Sequence, residues 1–237
     1  MRRPDPPDLL RLENVHGYYG DSHIIQGLSL AVGEGTVVSI MGRNGVGKTT
    51  ALRCITGLLR PREGRVIFDG RDIAGLPPHA IARLGIALVP EDRRIFGSLT
   101  VEENLLLAAG GRRSAVGEAL DFFPPLRDYL RRPGDRLSGG EQQMLAIARA
   151  LVARPRLVAI DEPLEGLAPV VAERIQAILE SLRGRLTVLV VEQNLRWLLR
   201  VADRHYVLNQ GRTVFEGTSA ELAANPGVID RFLGVSV

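Results

Sequence analysis

Apolar residues along this chain fall into short blocks, and the spacing inside each block separates strand from helix. Between residues 10 and 32, brief apolar runs broken by Gly17, Gly20 and Gly27 predict strands and turns. Residues 37–41 form a compact apolar run, interrupted only by Ser39, which suits a strand buried on both faces. Residues 49–59 predict a helix stopped at Arg60-Pro61, and residues 65–73 a hairpin turning at Asp69-Gly70. A short helix over 79–84 and a buried strand over 86–89 follow. Residues 98–152 lack β-runs and carry helical spacing, as in Val101, Leu105, Ala108 and Ala109. Strand signals resume at 157–160 and 187–191, with a helix at 170–183 between them. A strand pair at 206–208 and 213–215, joined through Asn209-Gln210-Gly211, precedes a last helix over about 219–234. Strands alternating with helices predict an α/β chain with a mainly parallel sheet covered on both faces.

Composition narrows the class without changing that outline. The 237 residues are 45% hydrophobic and 24% charged, as in an ordinary globular protein. A net charge of +3, with scattered arginines, points to a solvated surface rather than a nucleic-acid face. The single cysteine, Cys54, excludes an intramolecular disulfide and a multi-cysteine metal site, and reads as a small core residue. No apolar run reaches the roughly 18 residues that span a bilayer. Residues 1–8 read as a Pro/Asp-rich lead-in, and Arg2-Arg3 precedes no hydrophobic stretch of the kind an export signal needs.

Lys48 is the only lysine in the chain. It stands in Gly42-Arg43-Asn44-Gly45-Val46-Gly47-Lys48-Thr49, which fits the phosphate-binding P-loop G-x-x-x-x-G-K-[ST]. Its glycines let backbone N–H groups face phosphate oxygens, and the helix that follows offers its positive end. Lys48 would neutralise the β- and γ-phosphates and Thr49 would offer a hydroxyl to Mg²⁺, with Thr50 also against the nucleotide. A second candidate is the apolar strand ending in Asp161-Glu162, expected at the sheet edge beside the P-loop. Asp161 would hold Mg²⁺ through water, and Glu162 would act as general base on the attacking water. A third is Leu137-Ser138-Gly139-Gly140-Glu141. Ser138 and Glu141 make a capping box, while two glycines in a first helical turn offer bare backbone to a phosphate.

These three elements, in this order, resemble the ATP-binding cassette (ABC) transporter ATPases over essentially the whole chain. The resemblance implies a P-loop NTPase (RecA-like) core over 9–97 and 153–237, including an N-terminal antiparallel β subdomain. It implies an inserted α-helical subdomain over 98–152 that carries the signature Ser138-Gly139-Gly140. In that family the signature contacts the γ-phosphate of ATP held by a second subunit, and Tyr19 matches the aromatic that stacks on adenine. The runs from Val89 to Phe96, Leu99 to Leu105, Gly166 to Pro169 and Val191 to Asn194 resemble the LivF-type ATPase of branched-chain amino-acid importers.

By that resemblance residues 91–105 would face transmembrane permease subunits, with a solute-binding protein acting indirectly. The chain would then sit at the cytoplasmic face of the plasma membrane. The ATPase partner would be a second copy or a LivG-like subunit. Importers of urea or short-chain amides, and soluble non-transport cassettes, are the alternatives; a kinase or GTPase would lack the signature. Glu91 stands where most cassettes have Gln, and would approach Mg²⁺ or the nucleotide. Gln193 stands where most have the His that contacts the γ-phosphate. Slower hydrolysis than at a His-bearing site is expected, and Gln193→His should raise turnover.

Overall fold

The computed structural model describes residues 7–234. The lead-in therefore lies almost wholly outside the described residues, and Asp8 already opens the first strand. By its contacts the chain divides into two compact units: one runs to Leu84 and resumes at Arg183, and the other is Gly85–Leu182.

The first unit opens with strands β1 (Asp8–Tyr19) and β2 (Ser22–Gly33), followed by β3 (Val37–Met41) and α1 (Lys48–Ile55). Next come β4 (Glu63–Phe68), β5 (Arg71–Asp72) and α2 (Pro78–Arg83). The second unit holds β6 (Ile86–Val89), α3 (Val101–Ala108), α4 (Arg113–Phe122), two 3₁₀ turns, α5 (Gly139–Val152), β7 (Leu157–Asp161) and α6 (Pro169–Ser181). The chain then returns to the first unit with β8 (Thr187–Val191), α7 (Leu195–Val201), β9 (Arg204–Asn209), β10 (Arg212–Gly217) and α8 (Ser219–Ala223).

In the first unit β2-β1-β4-β5 make an antiparallel sheet, the predicted hairpin turning between Phe68 and Arg71. The other strands are wound differently. β3 pairs in parallel with β8 on one side and β9 on the other, and β10 closes antiparallel on β9. All five residues of β3 and all five of β8 are buried, as expected for parallel strands covered on both faces. In the second unit β6 and β7 form a parallel pair, and α5 packs against α3, α4 and α6. The fold is that of a P-loop NTPase with a mainly parallel sheet and an antiparallel β-sheet. Among the described residues no helix is long and apolar enough to cross a membrane.

Two local expectations need correction, and one helix was not anticipated. Helix α1 ends at Ile55 rather than residue 59, because Gly57 takes φ 74°, the left-handed geometry that stops a helix. A Cβ there would come within 2.5 Å of the Leu76 carbonyl oxygen. The last helix is not continuous: α8 ends at Ala223, Pro226 starts a new turn, and Ile229–Leu233 is a π-turn. Helix α7 had no expectation at all.

The core supports the site through a few polar ties. Ser39, the one polar residue of β3, lies 2.7 Å from Nδ1 of the fully buried His205, and Ser219 Oγ lies 2.9 Å from its Nε2. Ser219 donates to the Ala202 carbonyl, so it accepts from Nε2–H and Ser39 donates to Nδ1. Burial pushes the His205 pKa down to about 4, with Asp203 opposing the shift. The neutral ring is thus favoured in the folded chain, and the unfolded chain binds an extra proton between about pH 6.5 and 4. Stability is expected to be complete above pH 6.5 and to fall by about 3 kcal/mol as pH drops through that window. Denaturant unfolding at several pH values, with His205→Gln as the non-titrating control, measures it; the variant should show the shallower acid loss. Cys54 is buried as expected, and burial pushes its thiol up to about 12.

Candidate nucleotide site

The P-loop joins β3 to α1. Gly42 adopts φ 145°, and a Cβ on it would lie 2.5 Å from the Leu208 carbonyl oxygen. Gly47, at φ 109°, is the N-cap of α1 and has no side chain to cap it, a geometry in which the first-turn N–H groups could receive an anion. Lys48 is 4% exposed, and its Nζ donates to the Gly42 and Arg43 carbonyls at 3.0 and 3.2 Å. The ammonium is therefore folded into the loop that would receive the phosphates. Thr50 is buried and Thr49 half-buried, while Arg43, Asn44 and Gly45 are exposed. The Gly211 N–H donates to the Val46 carbonyl at 2.9 Å, so the β9–β10 turn braces the loop. That brace was invisible in the motif.

Tyr19, 41% exposed, ends β1, and Arg53 of α1 donates to its hydroxyl at 2.8 Å. The side chain is thereby anchored to the P-loop helix, with the Arg53 guanidinium over its ring at 6.0 Å from the centroid. Gln193, exposed just beyond β8, donates from Nε2 to Asn44 Oδ1 at 2.7 Å. The first unit thus brings Gln193 onto the P-loop.

The second unit carries the remaining candidates. Exposed Glu91 follows β6 and Pro90. Beyond it Arg93 and Arg94 take consecutive positive φ values of 61° and 46°. Arg93 donates to the side-chain oxygens of Gln143 and Gln142 on α5, at 3.3 and 3.4 Å. Arg149 of the same helix donates to the Arg94 carbonyl at 2.7 Å and lies over the Phe96 ring. Asn104, fully buried, bonds to the backbone of Phe96, Leu99 and Thr100, fixing the segment between β6 and α3.

Ser138 is the N-cap of α5, and the capping box is complete: its Oγ accepts from Glu141 N–H at 3.3 Å, and Glu141 accepts from Ser138 N–H at 2.7 Å. The adjacent glycines have packing reasons of their own. A Cβ on Gly139 would lie 3.3 Å from the Arg93 guanidinium, and one on Gly140 only 2.4 Å from Val171 Cγ1 of α6. Gly140→Ala is expected to destabilise the chain by about 1–3 kcal/mol through overpacking. The pair Gly140→Ala/Val171→Ala should recover that loss in denaturant melts. ATPase activity of the pair then separates packing from any need for bare backbone at a phosphate.

Asp161, 3% exposed, ends β7. Glu162 follows at φ 45°, half-buried, and its carbonyl accepts from Glu165 N–H. The left-handed residue turns the chain sharply where the strand stops. Among the described residues no group of three or more His, Cys, Asp or Glu could hold a metal. The Thr49 hydroxyl and the Asp161 carboxylate are oxygen donors, the chemistry Mg²⁺ takes when phosphates and water complete its shell.

The ABC transporter family description matches residues 25–165. The high-affinity branched-chain amino acid transport ATP-binding protein BraG of Pseudomonas aeruginosa is 42% identical over 234 residues, 95% of this chain and all of that protein. The lipopolysaccharide export system ATP-binding protein LptB of Escherichia coli K12 is 36% identical over 95% of this chain and 97% of its own. A nucleotide-free ATP-binding cassette from an ABC transporter superposes with a TM-score of 0.84 at 28% identity, over 98% of this chain and 100% of that one. With its P-loop, capped signature helix and Asp-Glu strand end in one chain, the protein belongs to the ABC transporter family, as one of its ATP-hydrolysing subunits.

Proposed function

We propose that this chain energises the import of branched-chain amino acids as one ATPase subunit of a membrane transporter. The observation that carries it is the end-to-end match to BraG, at 42% identity against 36% for the lipopolysaccharide-export relative. The runs around Glu91, Asn104 and Gln193 support the same subfamily.

In this assignment the P-loop from Gly42 to Thr50 holds the phosphates, Lys48 neutralises them, and Tyr19 carries the adenine. Thr49 and Asp161, with Glu91 nearby in function, would hold Mg²⁺, which supplies charge neutralisation on the phosphate oxygens. Glu162 takes a proton from water as that water attacks the γ-phosphorus and ADP leaves. Gln193 donates a neutral hydrogen bond toward the γ-phosphate. Ser138, Gly139 and Gly140 serve a nucleotide held by a second ATPase subunit, either another copy or a companion chain. Permease subunits hold the pair at the cytoplasmic face of the membrane and are fed by a solute-binding protein. No nucleic acid is involved.

The test is reconstitution with its permease subunits in vesicles and measurement of leucine, isoleucine and valine uptake on added ATP. Uptake lost with Glu162→Gln supports the assignment. An assembly that hydrolyses ATP and moves none of the three overturns the substrate while leaving the ATPase in place.

A further inference from the structure

We infer that Glu192 is the positioning residue for Gln193, its buried carboxylate setting where the Gln193 amide meets the terminal phosphate. This rests on the assignment of Gln193 to the γ-phosphate above. The pairing of β8 with β3 extends as far as Glu192, whose N–H donates to the Ile40 carbonyl at 3.4 Å. There the backbone must leave the sheet and present one exposed side chain to the P-loop. The Glu192 side chain, 6% exposed, governs that exit: its Oε1 accepts from Gln193 N–H at 2.7 Å and from Asn194 N–H at 3.2 Å.

A carboxylate so far from water is costly unless N–H donors solvate it, and the two amides of the turn do so. The far side of Gln193 is fixed as well. Asn194 Oδ1 accepts from Trp197 N–H at 3.1 Å and closes the N-cap of α7. Gln193 therefore stands between two side-chain caps, with its Nε2 2.7 Å from Asn44 Oδ1 in the P-loop. A flexible neutral amide gains no long-range pull from charge, so its placement depends on the backbone that carries it. A misplacement of about 1 Å at such a group can lower a rate by about 10²-fold.

Both backbone bonds converge on one oxygen. A glutamine carbonyl can accept both, and an alanine can accept neither. This distinguishes Glu192 from a residue that matters only for its charge.

The test is single-turnover ATP hydrolysis by the full chain in its ATPase-competent dimer, comparing Glu192→Gln, Glu192→Ala, Gln193→Ala and the double alanine variant, with thermal melts alongside. Glu192→Ala is expected to slow hydrolysis about 10- to 100-fold, Glu192→Gln to stay near the parent, and Glu192→Ala to add nothing once Gln193 is alanine. A full, additive loss in the double variant overturns the inference, because Glu192 would then act on the fold or on another group. So does a Glu192→Gln chain as slow as Glu192→Ala. If Gln193→Ala alone leaves the rate unchanged, the γ-phosphate assignment itself falls and takes the role of Glu192 with it.

Discussion

Glu162→Gln is expected to slow ATP hydrolysis by about 10²–10⁴-fold, the usual contribution of a positioned general base, while ATP binding persists. The substitution keeps the side chain's shape and one carbonyl oxygen but removes the basic oxygen that takes the proton. It also leaves untouched the elements proposed to hold phosphate: the N-terminal amides of α1 and the Lys48 ammonium, which belong to the other unit of the fold. The φ of 45° at Glu162 matters for the design of the experiment. Left-handed geometry is tolerated similarly by Glu and Gln, so the backbone is unchanged and a rate loss reports chemistry. Single-turnover hydrolysis and nucleotide-binding titration are the paired measurements. Equal rates for the two proteins would remove Glu162 from the reaction. Activity in the purified parent chain, abolished by the substitution, would also establish that two copies suffice; ATP binding without turnover would point to an obligate companion subunit.

The largest stability effect is expected at Trp197. Truncating it to alanine should cost about 3–5 kcal/mol, the range for emptying a buried aromatic site. The ring is 2% exposed and shares the buried face of α7 with Leu195, Leu198 and Val201. Its indole Nε1 is buried and has no hydrogen-bond partner among the described residues. An unsatisfied buried donor carries a penalty of about 1–3 kcal/mol. Trp197→Phe sheds that penalty and keeps most of the ring, so it should cost far less than Trp197→Ala. Equal costs for the two would show that the orphaned N–H is not felt. Trp197 is the only tryptophan, so unfolding of these variants must be followed by circular dichroism.

Much of this architecture was legible because single residues enforce it. Residues 37–41 and 187–191 read as buried strands since nothing but Ser39 and Thr187 interrupts their apolar runs. Asp69-Gly70 announced the β4–β5 turn, and the P-loop announced both the end of β3 and the start of α1. What escaped had weaker or non-local signals. Helix α7 has only seven residues, and no glycine or proline between Thr187 and Gln210 marks where the strand before it ends or the helix begins. Gly57 looked like a helix interior because its stop depends on the Leu76 carbonyl, nineteen positions on. The Gly139-Gly140 pair suggested phosphate contact alone, yet Val171 leaves no room for a Cβ at Gly140, and the Arg93 guanidinium packs close to Gly139. Glu192 drew no role of its own within the run from Val191 to Asn194, because its partners are backbone amides that no sequence pattern displays. The link from His205 to Ser39 joins two strands far apart in sequence.

The solitary Lys48 has a practical corollary. A protease that cuts only after lysine has one target in the chain, and that bond lies in the P-loop beneath a side chain 4% exposed and tied to two carbonyls. Cleavage into residues 1–48 and 49–237 must await local opening of the loop, so its rate gauges how often that opening occurs. Occupancy by nucleotide would slow the cut, and a single band shift on a gel would read the stability of the site apart from that of the whole fold.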